Sequence, residues 1–158
     1  MGMFRVIRRT GRFAEPAPEP PDQAATPELL TGSVSLRHVD AGSCNGCEIE
    51  IGGCFSPVYD IERYGIRLAA SPRHADGLLV TGVVTHNMAS ALRDAHAATP
   101  EPKVVVALGD CACNGGVFTD GYGVAGTVSD FLPVDLEILG CPPPPEVIVE
   151  ALRRVSGR

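Results

Sequence analysis

Basic residues are scarce in this 158-residue chain: 13 Lys and Arg stand against 19 Asp and Glu, for a net charge of −6. That balance argues against a nucleic-acid partner, which would want a basic face. No stretch approaches the roughly 20 consecutive apolar residues that cross a bilayer, so no transmembrane segment is expected. Six cysteines are too few to staple a domain of this length with disulfides, and no secretion signal is visible. Arg8-Arg9 resembles a twin-arginine export signal, but Ala14-Glu15-Pro16-Ala17-Pro18-Glu19-Pro20-Pro21 follows where an export signal needs apolar residues. The expected compartment is therefore reducing, which suits metal-bound thiolates. Internal repeats are also lacking, and His38, His74, His86 and His96 have no metal-like spacing.

What is present reads as one globular domain preceded by an arm. Apolar residues make up 44% and charged residues 20%, a globular composition. Residues 1–32 are expected to form an extended arm. Its Pro, Glu and Ala-rich part, residues 14–31, reads as a linker. Ahead of it, Met3, Phe4, Val6 and Ile7 interleave with Arg5, Arg8, Arg9 and Arg12. That pattern fits either an arm that touches a membrane surface or acidic partner, or a frayed tail.

Residues 33–158 should carry the fold. Strands are expected at Val34–Val39, Gly77–Val84, Lys103–Gly109 and Leu136–Leu139. The middle two are continuous apolar runs, as in strands buried on both faces. Helices are expected at Glu48–Phe55, His86–Ala97 and Pro145–Val155. Alternating strands and helices imply an α/β domain with a parallel sheet flanked by helices.

Four cysteines fall just past the expected strand ends: Cys44 and Cys47 after the first, Cys111 after the third, Cys141 after the fourth. In parallel sheets ligands gather beyond the carboxyl ends of the strands, so the four should converge at one rim. Four thiolates suit a [4Fe–4S] cluster or a zinc ion. Cys44-x-x-Cys47 alone would also serve a redox dithiol, but that leaves Cys111 and Cys141 without a role. Zinc usually takes a second close pair, whereas Cys111 and Cys141 stand 30 positions apart. Glycines at Gly46, Gly109, Gly115, Gly116 and Gly140 are expected to turn backbone N–H groups toward an anionic cluster. Cys54 reads as a buried apolar residue, and Cys113 as a competitor of Cys111 that is not a ligand. Glu48 reads as first-turn helix charge, and Glu50 as a candidate proton relay.

These motifs resemble a known family. Cys44-Asn45-Gly46-Cys47-Glu48-Ile49-Glu50, Asp60–Ile66, Ser71–Asp76, Gly82–Thr85, Gly109-Asp110-Cys111, Gly115-Gly116 and Pro133–Pro143 are similar to the small subunit of group 4, membrane-bound, energy-converting [NiFe] hydrogenases. They are also similar to its relative, the 20 kDa (B-type) subunit of complex I. The resemblance implies a flavodoxin-like fold and one [4Fe–4S] cluster held by Cys44, Cys47, Cys111 and Cys141. It places Glu50 near a subunit interface. It implies that this chain is a non-catalytic electron-transfer subunit of an oxidoreductase complex. The implied partners are a [NiFe]-type large subunit, a ferredoxin-like iron–sulfur subunit and membrane subunits, on the cytoplasmic side of the inner membrane. Complex I subunits carry two adjacent cysteines where this chain has Gly46-Cys47, which favours the hydrogenase branch over quinone reduction. Six cysteines cannot supply the roughly twelve ligands of a three-cluster small subunit.

Overall fold

The computed structural model describes residues 5, 8, 9, 11 and 32–158. The expected N-terminal arm lies almost wholly outside the described residues. The domain is built on five parallel strands: β1 (Val34–Asp40), β2 (Ile66–Leu68), β3 (Gly77–Thr81), β5 (Val104–Leu108) and β7 (Leu136–Ile138). Their spatial order is β2-β1-β3-β5-β7, which is the flavodoxin-like order with a topological switch between β1 and β3. β4 (Val84–Thr85) and β6 (Val124–Gly126) form a separate antiparallel ribbon.

Both sheet faces are covered. On one face Leu79, Val104, Val106 and Leu108 pack with Ile51 of α1 (Gly46–Cys54) and with Ile148, Leu152 and Val155 of α4 (Pro145–Ser156). On the other, Leu78, Val80, Val105 and Ala107 pack with Leu92 of α2 (Ala89–Ala98) and Ala112 of α3 (Asp110–Asn114). The alternation follows from the two-residue period of a strand. Every residue of β3 and β5 is buried, and each such Val or Leu contributes about 1.5–3 kcal/mol by leaving water. α4 starts with Pro145 in its first turn and ends at Gly157, whose positive φ lets its N–H bond back to the Arg153 carbonyl.

The expected strands are present, with shifted ends. The run Gly77–Val84 is not one strand. It stops at Thr81, because Gly82 turns the chain at φ +77 while its Cα lies so close to the Gly42-Ser43 backbone that a Cβ would stand 2.3 Å from the Ser43 nitrogen. The remainder, Val84–Thr85, goes into the antiparallel ribbon. The helix expected from His86 begins at Ala89, since Met88 N–H closes a turn onto the Thr85 carbonyl. β2 and α3 were not expected. They have three and five residues, too short to show a period.

Candidate metal centre

The carboxyl ends of β1, β5 and β7 deliver the four cysteines. Cys44 sits on the loop after β1, and Cys47 in the first turn of α1. Cys111 lies in α3, three residues past β5. Cys141 follows Gly140 after β7. Cys47 and Cys111 are buried, while Cys44 and Cys141 are exposed. The set thus has an inner and an outer pair.

The four sulfurs share one electrostatic neighbourhood. Burial pushes the Cys47 thiol up to about 12; the Glu48 carboxylate and then Cys111, Cys44 and Cys141 push the same way. Burial also raises Cys111, with Cys141 and Cys44 next among the causes. Packing ties the loops as well. A Cβ on Gly109 would stand 2.6 Å from Cys47 Sγ, and one on Gly46 would stand 3.6 Å from Cys44 Sγ and 3.8 Å from the Pro142 ring. Gly109 adopts φ +91, so it gives the chain a turn and leaves room for a sulfur.

Carboxylates fasten the loops. Asp110 N–H donates to the Gly140 carbonyl at 2.8 Å, and Gly140 N–H donates to Asp110 Oδ1 at 2.7 Å. This reciprocal pair locks the Cys111 segment to the Cys141 segment. Asp40 Oδ1 accepts from Gly42 N–H and Ser43 N–H at 2.8 and 2.7 Å, holding the start of the Cys44 loop in an Asx turn. The sequence gives neither carboxylate a role, although Asp110 lies in the Gly109-Asp110-Cys111 motif and an Asp two residues before Gly at a strand end is the local signal for Asp40.

The expected backbone nest does not form as read. Gly109 N–H donates to the Ile138 carbonyl, Gly115 N–H to the Cys111 carbonyl, Gly116 N–H to Asn114 Oδ1, and Gly140 N–H to Asp110. Those donors are committed to protein acceptors because the turns themselves must be held. The N–H groups that remain suited to an anion are those of the first turn of α1, which has no side-chain cap and which the helix cannot satisfy internally.

Cys113 points away from the set. Its Sγ donates to the Ala107 carbonyl at 3.5 Å and lies 3.9 Å from the Ile138 carbonyl, and burial pushes it up to about 11. Cys54 is buried against α4, with Sγ 3.7 Å from the Pro145 carbonyl. Glu50 acts electrostatically on Cys54 and Tyr59 and is not among the groups that act on Cys47 or Cys111. It is Glu48 that the fold turns inward: Ser43 Oγ donates to its Oε2 at 2.5 Å, Thr81 Oγ1 donates to its Oε1, and His38 Nε2 lies 3.5 Å away.

Among the described residues, no three His, Cys, Asp or Glu side chains close around a point that one metal ion would fill. A zinc ion with sulfur ligands at about 2.3 Å needs its thiolates within roughly 4 Å of one another. A four-iron cube is a larger body and holds its ligands further apart. The donor set, the space left at Gly109 and the uncapped α1 terminus fit such a group.

A family model described as NADH ubiquinone oxidoreductase, 20 Kd subunit, matches residues 44–155, a span that includes all four cysteines. The chain belongs to this family. The family's members are subunits of oxidoreductase complexes, and this chain is of that kind. It is 45% identical over 115 residues to a Pyrococcus furiosus protein named "Probable membrane-bound hydrogenase subunit mbhJ", covering 73% of this chain and 69% of that one. It is 49% identical over 123 residues to formate hydrogenlyase subunit 7 of Escherichia coli, covering 78% of this chain but only 48% of that subunit. A chain of an archaeal membrane-bound sulfane sulfur reductase superposes with a TM-score of 0.70 at 32% identity, over 81% of this chain and 71% of that one. No helix among the described residues is long and apolar enough to cross a membrane.

Proposed function

We propose that this chain is the one-cluster electron-transfer subunit of a membrane-bound hydrogenase complex. One [4Fe–4S] cluster is held by Cys44, Cys47, Cys111 and Cys141. Electrons pass through it between a [NiFe]-type catalytic large subunit and a ferredoxin-like iron–sulfur subunit. The observation that carries this reading is the meeting of four thiols from three separate strand ends at one rim of the sheet. When bound, the cluster supplies a one-electron redox centre. The chain's own residues bury Cys47 and Cys111 away from water, present Cys44 and Cys141 at the surface, and aim the α1 N-terminus at the negative charge.

The rim is also apolar. Ile49, Val117, Phe118, Tyr122 and Leu139 are exposed there or on the loops beside it, a pattern that suits burial by another protein. The large subunit is the occupant assigned to this face. Its contact would carry the outer thiols into a dry interface and shorten the electron path. The complex's membrane subunits would hold the chain peripherally at the cytoplasmic face of the inner membrane.

A second reading keeps the cluster and changes the terminal chemistry. The likeness to the sulfane sulfur reductase chain favours it, because there the same fold serves a complex that reduces sulfane sulfur. The test is anaerobic purification of the complex, iron and sulfide analysis of this chain, and EPR after dithionite reduction. Four irons, four sulfides and a [4Fe–4S] signal are expected, together with hydrogen evolution from reduced viologen. Zinc in place of iron would refute the cluster. Iron without hydrogen turnover, but with polysulfide or quinone reduction, would move the chain to the other branches.

A further inference from the structure

The hydrogen bonds around Glu48 all run in one direction. Thr81 Oγ1 has a single proton, and the contact to Glu48 Oε1 takes it. The 2.9 Å contact between His38 Nε2 and Thr81 Oγ1 must therefore be donated by the imidazole. Ser43 Oγ likewise spends its only proton on Glu48 Oε2 and accepts from Asn45 N–H at 2.8 Å. Groups from three separate segments thus meet at the one carboxyl group. The donors come from β1 (His38), β3 (Thr81) and the Cys44 loop (Ser43, Asn45), so the carboxylate sits at the switch between β1 and β3. Thr81 is fully buried, and the Glu48 side chain is 18% exposed. A charge in that position is poorly screened.

We propose that Glu48 is a positioning and tuning residue of the cluster: a fixed carboxylate that ties the Cys44–Cys47 segment to the sheet and holds the cluster's reduction potential down. This rests on the cluster reading above. Two physical effects combine. The tether fixes the first turn of α1, and with it the Cys47 sulfur, against β3. The negative charge opposes the arrival of a further electron on a group bonded to the neighbouring residue.

The experiment is an EPR-monitored redox titration of the full chain, reconstituted anaerobically with iron and sulfide, beside its iron content. Glu48→Gln keeps the shape and removes the charge. It should load a full complement of iron and show a midpoint shifted to more positive potential. Thr81→Val removes the tether at constant volume. It should broaden the signal and shift the midpoint the same way, while Thr81→Ser restores the wild-type value. A Glu48→Gln chain that loads fully at the wild-type midpoint overturns the inference and leaves the cluster reading standing. If Glu48→Gln fails to load, the Thr81 pair decides, and equal midpoints for Val and Ser overturn it. A wild-type chain that takes up no iron overturns both.

Discussion

Gly109→Ala is the sharpest probe of how the thiols are packed. The residue holds φ +91 and ψ 155, a region that only glycine enters freely, and a side chain there costs roughly 1–3 kcal/mol of backbone strain. The added Cβ would also stand 2.6 Å from Cys47 Sγ, where ordinary contact is about 3.5–4.0 Å. One of the two atoms must move by about 1 Å. Neither is free to do so: Cys47 is in the first turn of α1, and Gly109 N–H is bonded to the Ile138 carbonyl at 2.7 Å. Overpacking of this kind typically costs about 1–3 kcal/mol. Taking about 3 kcal/mol as the sum after relaxation, a domain of this size should lose roughly 6–12 °C in Tm. The assay is a thermal melt of the metal-free, reduced chain, paired with iron content after reconstitution. Iron loading should fall with the melt, because the displaced sulfur is one of the four ligands. A variant that melts within about 2 °C of wild type and loads full iron would refute the close approach of Gly109 to Cys47, and the site geometry with it.

Three further outcomes are expected. Gly52→Ala, within α1 where a Cβ meets nothing within 4 Å, should raise stability by about 0.5–1 kcal/mol in the same melt; destabilisation would mean α1 is not formed as described. Cys111→Ser should abolish or convert the EPR signal, whereas Cys113→Ser, whose sulfur faces the Ala107 carbonyl, should leave it intact; the reverse would exchange their roles. The buried Cys54 thiol is pushed from 9.0 up to about 11, mainly by desolvation. A raised folded-state value gives stability that is full below pH 9.0 and lost as pH rises through about 11. The loss is on the order of 2–3 kcal/mol. Denaturant titrations of the reduced, metal-free chain between pH 8 and 11 should show a shallower decline for Cys54→Ala than for wild type, and parallel declines would refute the assignment.

The parts of the fold legible in the sequence are those whose signal is local and repeated. Gly77–Thr81 and Val104–Leu108 are buried on both faces, so their residues are apolar without alternation and the parallel sheet follows. Ile66–Leu68 buries one residue of three, which is no pattern at all; only its pairing with β1 makes it a strand. Convergence of the cysteines was legible because strand ends in a parallel sheet lie on one side. That Glu48 is the one held against the sheet is not legible in the sequence. Glu48 and Glu50 are both acidic positions early in one helix, and nothing local distinguishes them. What does so is Thr81, 33 positions away on β3, a partner that exists only once β1 and β3 have paired.

The same long-range contacts bear on whether the centre is made by its metal or waits for it. In a zinc finger the ligands are gathered only by the ion, and the apo chain unfolds. Here each ligand segment has its own fastening. Asp40 holds the loop before Cys44, Glu48 holds the Cys44–Cys47 segment to β3, and Asp110 and Gly140 hold the other two segments to each other. The Glu48 and Asp110 contacts are partly buried, and leaving a buried polar group unpaired costs about 1–3 kcal/mol; the Asp40 contacts are exposed and act by shaping the turn. The rim is therefore held by the sheet and its carboxylates, and cluster insertion should act on a framework that already exists. The apo chain should keep the far-UV signature and cooperative melt of the folded domain.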